Sequence, residues 1–309
     1  MKELNLKLLK SLCSIHAPSG NESAMTEFLL DYISHSSPKW LVKPVVYSGD
    51  DFQNCIVLVF GKPRTAVYAH IDSIGFTAGY ENNLIRIGGP KTVTGYHLVG
   101  SDSQGAIGCT LEADLETKEL TASFKRVIDP GTDLSFRCDF RSNDEYVQSC
   151  YLDNRLGVWI ALRLAETLTD GAIVFSCWEE HGGGTAAYLA GFLYQKFAVK
   201  QSLICDITWV TEGVHHGKGV AVSMRDSGLP RKLYVNKIRQ ILDANKVPYQ
   251  VEVESAGGSD GNEIQKAPFP IDWCFIGAPE DFVHSPDEKV HKADIESMLH
   301  AYQVLMEKL

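Results

Sequence analysis

The chain has 309 residues, 44% hydrophobic and 22% charged, the balance of a globular protein with one large domain or two smaller ones. A net charge of −10 argues against nucleic-acid binding, which calls for a basic patch, and no apolar stretch is long enough to span a bilayer. The eight cysteines form neither a CxxC pair nor a short disulfide-like framework, so a reducing, cytoplasmic setting is expected.

Leu4, Leu8, Leu9, Leu12 and Ile15 recur at helical spacing. The N-terminus therefore reads as an amphipathic helix rather than a signal peptide, stopped by Ala17-Pro18-Ser19-Gly20. Asn21 is expected to cap a second helix that carries Met25, Phe28, Leu29, Tyr32 and Ile33 on one face. The runs "NCIVLVF" and "TAVYAHID" read as strands, nearly continuous in apolar residues. From about residue 73 to 148 the texture changes to short β-prone segments separated by Gly, Asp, Pro and Asn. Beyond it helix and strand alternate: "LGVWIALRLAETL", "AIVFSCWEE", "TAAYLAGFLYQKF", "SLICDITWV", "RKLYVNKIRQILDAN", "PYQVEVE", "DWCFIGA" and "DIESMLHAYQVLMEKL". The pattern predicts an α/β fold, a mixed sheet covered by helices on both faces. Residues 1–72 and 149–309 would form it, with 73–148 inserted as a small all-β, barrel-like domain.

Sites in open α/β sheets form outside the carboxyl ends of the strands. The polar residues at those ends are His70 and Asp72 in "AVYAHID", Glu179 and Glu180 in "AIVFSCWEE", and Asp206 in "SLICD". Asp153 in "YLDNRLG" starts a helix, and His284 in "DFVHSPDE" follows the strand "DWCFIGA". Alone, each has a plainer reading: His70 as a hydrogen-bonded core histidine, Asp153 as a helix cap, Asp206 and His284 as turn residues. The glutamate pair alone reads as a solvated face. Together they combine imidazole and carboxylate, the donor chemistry of Zn²⁺ and its first-row neighbours. Five ligands and a spare acid exceed what one catalytic zinc requires and suit two metals sharing a bridging carboxylate. His-x-Asp also lets Asp72 hold the second imidazole nitrogen of His70.

In order, "AHIDSIGF", "LDNRLG", "EEHG", "CDIT", "GGSD" and "HSPDE" resemble the tetrahedral or glutamyl aminopeptidase family of two-metal peptidases, across nearly the whole chain. The resemblance implies that Asp153 bridges two divalent metal ions, with His70 and Asp206 completing one and Glu180 and His284 the other. Zinc is the default metal, and cobalt or manganese suits the same donors. Glu179 would be the unliganded general base and Asp72 the partner of His70. The implied reaction is hydrolysis of peptides with a free N-terminus, releasing the first residue, by a homo-oligomer. The sequence departs from the family pattern in three places: at His181 and at Thr185 near the glutamate pair, and at Asp281-Phe282 where Arg-Tyr is usual. An acid at 281 would disfavour an acidic substrate side chain if it faced the pocket. His215 and His216 read as a solvated loop, and "AGGSDGNE" as a glycine-rich turn or a pocket-lining loop. The competing functions are a metal-dependent deacylase, a catalytically silent binding protein on the same fold and, last, carbohydrate cleavage by paired carboxylates.

Overall fold

The strands of the chain sort into two sheets of different character. The structure is a computed structural model describing residues 6–309, so Leu4 of the first expected helix lies outside the described residues. Eleven strands form the large sheet. Its centre runs Gln53–Phe60, Gly171–Ser176, Thr65–His70, Gln201–Trp209 and Asp272–Asp281. Gly171–Ser176, Thr65–His70, Gln201–Trp209 and Asp272–Asp281 are parallel, while Gln53–Phe60 is antiparallel to its neighbour. In Thr65–His70 and Gly171–Ser176 every residue is buried. Successive side chains of a strand point to opposite faces, so both faces are covered. That is the mixed, helix-covered sheet expected from the alternating pattern.

Six antiparallel strands within 75–136 form the second sheet. Gly105–Ala113 shows why: Ile107, Cys109 and Leu111 are buried while Gly108 and Glu112 are exposed, the period-two signature of a sheet with one wet face. Its two edge strands, Leu84–Ile87 and Leu120–Ser123, approach at a bridge between Asn83 and Thr121. Phe76, Leu98, Leu134 and Phe136 lie in a core of their own, separate from that of the large sheet. Arg141–Ser142 and Tyr146–Ser149 pair into the large sheet through Glu288–His291.

Most helices fall where the apolar spacing puts them, including Ser23–Ser36, Ala186–Phe197, Lys232–Ala244 and Lys292–Lys308. Asn21 does not cap Ser23–Ser36: Glu22 occupies the cap position, and the Asn21 amide donates instead to Asp133 across the chain. A tertiary partner has taken the side chain that local sequence assigned to the helix. The strand Val220–Arg225 has no counterpart in the elements read from sequence.

Helix Leu152–Ala165 is buried at almost every position and packs on Gln201–Trp209 and Thr65–His70. Asn154 staples its start to the sheet: its amide donates to the Cys205 carbonyl at 2.9 Å, and its Oδ1 accepts from Gly157 N at 2.9 Å. A Cβ on Gly157 would overlap both the Cys205 carbonyl oxygen and Asn154 Oδ1. The glycine therefore sets how closely the segment carrying Asp153 lies to the strand carrying Asp206. Gly157→Ala is expected to destabilise the fold by about 1–3 kcal/mol through overpacking, read as a lower urea midpoint at unchanged slope.

Candidate metal centre

Four parallel strands end side by side and deliver residues at or just beyond their ends to one place. His70 closes Thr65–His70, in register with Ser176, and Asp206 lies near the end of Gln201–Trp209. The chain leaving Ser176 supplies Glu179 and Glu180, and the chain leaving Asp281 supplies His284. Asp153 enters from the helix side in an extended conformation, joined to Asn154 by a cis peptide bond. After Glu180 the three glycines each take a positive φ, of 103°, 89° and 71°, a region open to glycine and strained for other residues. The loop they form closes through Thr185, whose N–H donates to the Cys177 carbonyl and whose hydroxyl accepts from Cys177 N.

The Asp153 carboxylate divides between the two histidines. Its Oδ1 lies 3.2 Å from His70 Nε2, and its Oδ2 lies 3.3 Å from His284 Nε2. On the first side Asp206 Oδ2 stands 3.6 Å from His70 Nε2; on the second Glu180 Oε2 stands 3.2 Å from His284 Nε2. Glu179 is set back, its Oε2 4.0 Å from His70 Nε2. Asp72 is fully buried behind the cluster. Its Oδ1 faces His70 Nδ1 at 3.4 Å, and its two oxygens accept the backbone N–H groups of Glu179 and Glu180. Ser19 donates to Asp72 at 2.6 Å. All seven residues singled out by sequence thus meet at one end of the sheet.

Charge is concentrated here with little solvent. Burial pushes the Glu179 and Asp206 carboxyls well above the ordinary range, opposed by His70. Burial alone would suppress the charge of His284, but hydrogen bonds to Asp153 and Glu180 overcome it, pushing its pKa up to about 12. Asp153 behaves oppositely to its fellow acids: despite burial, the two imidazoles hold it below the ordinary carboxylate range. Five carboxylates face two imidazoles here, Asp72, Asp153 and Asp206 buried and Glu179 and Glu180 half-buried, a site in need of positive charge.

The residues fit a metal. Donor atoms of His70, Asp153 and Glu180 all lie within 4.8 Å of one another, and Glu180 Oε1 is buried without a hydrogen-bond partner. Asp206 and His284 approach from the two sides of Asp153.

Several supporting residues were not singled out by sequence. Glu288, fully buried, accepts the backbone N–H groups of both Asp153 and His284, so one carboxylate fixes two donor-bearing segments. It closes the "HSPDE" motif, which was the available signal. Arg155, in "LDNRLG", is equally buried and donates to the Ile71 and Asp72 carbonyls, tying the end of the His70 strand to the helix. Asp260 of "GGSD" begins the short helix Asp260–Lys266 and accepts from Ser176 Oγ. Glu280 is buried with both oxygens unpartnered, and nothing in the structure explains it. Asp281 does not stand as a free acid: it pairs with Lys289 at 3.0 Å and His216 at 3.1 Å. His181 accepts from Gly88 N, and His215 stays exposed.

A cavity of about 300 Å³ opens beside the cluster, bordered by Asp153, Glu179, Glu180, Asp206 and His284. The profile of the M42 glutamyl aminopeptidase family matches residues 105–300. A protein of Acetivibrio thermocellus to which aminopeptidase activity is ascribed is 27% identical over 337 aligned positions, covering 98% of this chain and 97% of that protein. Among solved structures, aminopeptidase APDkam598 of the archaeon Desulfurococcus kamchatkensis superposes with a TM-score of 0.88 at 20% identity, covering 98% and 94% of the two chains. The Pyrococcus horikoshii TET1 peptidase, which assembles into a tetrahedron or a large octahedral shell, gives 0.81 at 21% identity over 98% and 99%.

A buried acidic cluster that takes up cations is more stable loaded than stripped. Chelator treatment is expected to lower the melting temperature by on the order of 5 °C, and added Zn²⁺ to restore it. An unchanged melting temperature would show that these carboxylates need no cation.

Proposed function

The chain belongs to the M42 glutamyl aminopeptidase family, which makes it a peptidase of the aminopeptidase type, and from that premise we propose a two-metal mechanism for it. The observation that carries the proposal is the division of Asp153, one carboxylate oxygen turned to each histidine. In this reading Asp153 would help hold two divalent ions, one together with His70 and Asp206 and the other together with His284 and Glu180. The crowding of Asp72, Asp153, Glu179, Glu180 and Asp206 around two imidazoles supports uptake of cations. Zinc suits the imidazole and carboxylate donors, as do cobalt and manganese. When bound, such ions supply Lewis acidity, acidifying water and polarising a carbonyl.

The protein's own groups do the rest. Asp72 holds His70 Nδ1, which leaves Nε2 free to face Asp153 and Asp206. The same carboxylate grips the backbone of Glu179 and Glu180, so neighbouring acids are sent to different tasks. Glu180 turns to His284, while Glu179 stays clear of that pair and borders the cavity. Glu179 is the general base, taking a proton from the attacking water and returning it at Oε to the leaving amine. Its burial keeps the carboxyl pKa above the ordinary range, which favours receiving a proton. The substrate is a peptide with a free N-terminus.

We further take a β-domain to be inserted into the catalytic domain, supported by the separate core of the six-stranded sheet within 75–136. Arg141–Ser142 and Tyr146–Ser149, expected inside it when its bounds are set at 73–148, pair instead into the large sheet. Self-association is part of the proposal, supported by exposed apolar Leu229, Leu233, Val251 and Val253. Light scattering is expected to give a mass above 34.2 kDa, and the monomer mass would remove this element. A reducing, cytoplasmic setting agrees with eight free cysteines, and among the described residues no helix is long and apolar enough to cross a membrane.

Glu179→Gln separates the base from the donors. The variant is expected to keep its metal content while kcat falls by roughly 10²–10⁴-fold. Full activity would take Glu179 out of its role. Cleavage of N-acetylated peptides alone, with free N-termini left intact, would turn the assignment to a deacylase.

A further inference from the structure

The cavity beside the metal centre carries more acid than the proposed chemistry uses. Beyond the donors it is lined by Asp226, Glu252 and Glu254, with the rings of Trp209 and Phe275 among its walls. Its single basic liner among the described residues is His284, already committed to Asp153 and Glu180. Glu252 is 3% exposed and Asp226 8%. The Thr208 hydroxyl donates to Glu252 Oε1, and the charged groups acting on that carboxylate are Asp226 and Glu254, both negative. Asp226 accepts from Gly228 N. Arg225 is the nearby cation, and it spends its Nε on the backbone carbonyls of Asp226 and Glu254 without lining the cavity. Burial pushes both Glu252 and Asp226 above the ordinary carboxylate range, the response of acids without sufficient counter-charge.

A buried carboxylate in an open cavity, beside the hydroxyls of Thr208 and Ser223 and two further acids, calls for a cationic donor from outside the chain. Aromatic walls suit the aliphatic stem of a long side chain and attract its charged head. We propose that this cavity receives a basic N-terminal side chain, lysine or arginine, with Glu252 and Asp226 taking its cationic head and Trp209 and Phe275 its stem. A glutamyl side chain would meet three carboxylates there and be rejected, in contrast to the glutamyl preference in the family's description. The proposal rests on the aminopeptidase reading for the position of the scissile bond, and on the cavity alone for its charge selectivity.

Lysyl, norleucyl and glutamyl p-nitroanilides test it on the metal-loaded protein, since norleucine keeps the lysine stem and lacks its ammonium. Lysyl over norleucyl is expected to be favoured roughly tenfold or more in kcat/KM, with glutamyl below both. Glu252→Gln is expected to lower the lysyl-to-norleucyl ratio about tenfold, and Glu254→Gln, at a half-buried position, to lower it in the same direction. Equal lysyl and norleucyl rates, or a glutamyl preference, would overturn the basic pocket and leave the aminopeptidase standing. Calorimetry with lysinamide and norleucinamide reads the cavity without turnover. Tighter lysinamide binding in a protein that cleaves none of the anilides would sustain the pocket and reject the hydrolytic reading. Equal affinities would overturn the pocket.

Discussion

One carboxylate shared between two histidines organises this molecule. Asp153 is 9% exposed, and its oxygens face His70 and His284, which arrive from opposite ends of the sequence. An isolated carboxylate so placed would be costly, since burial disfavours its charge. Its neighbours are acids as well, and the positive partners its oxygens face are the two imidazoles. The surrounding architecture exists to hold that arrangement: Asn154 pins the start of the helix to the Asp206 strand, Glu288 pins the backbone on both sides of the bridge, and Asp72 pins the glutamate loop. Each of these is a buried polar group hydrogen-bonded to backbone, which fixes position more firmly than an exposed ion pair.

Adjacent glutamates acquire different surroundings through that support. Asp72 accepts from two successive N–H groups, which locks the local backbone and sends the Glu179 and Glu180 side chains different ways. Three glycines in a row then let the chain leave at once, because each sits in a backbone region that a side chain would strain. The pair is neither a solvated face nor a repelling defect: Glu180 turns to His284 at 3.2 Å, while Glu179 stands back from His70 at 4.0 Å.

Much of this was legible in the sequence because strand ends in α/β folds carry chemistry. His70, Asp206 and the glutamate pair terminate apolar runs, and that contrast marks them. Their convergence was not visible from spacing, since it depends on which strands become neighbours: Gly171–Ser176 inserts between Gln53–Phe60 and Thr65–His70 although it comes about a hundred residues later. Supporting residues were hidden for another reason. Glu288 accepts from Asp153 N and Arg155 donates to the Ile71 and Asp72 carbonyls, partners far along the chain that membership of "HSPDE" and "LDNRLG" does not reveal. Asn21 had every local mark of a helix cap and was taken by Asp133. Asp281 would bear on substrate charge only if it faced the pocket, and it pairs instead with Lys289, while Glu252, in a segment that reads as an ordinary strand, lines the cavity.

The central claim is that Asp153 lies between two cations. Anomalous diffraction at the zinc edge, on crystals grown from zinc-loaded protein, addresses it directly. The account predicts two peaks flanking the Asp153 carboxylate, one beside His70 and Asp206 and the other beside His284 and Glu180. A single peak, or peaks that leave Asp153 without contact to both, would contradict it.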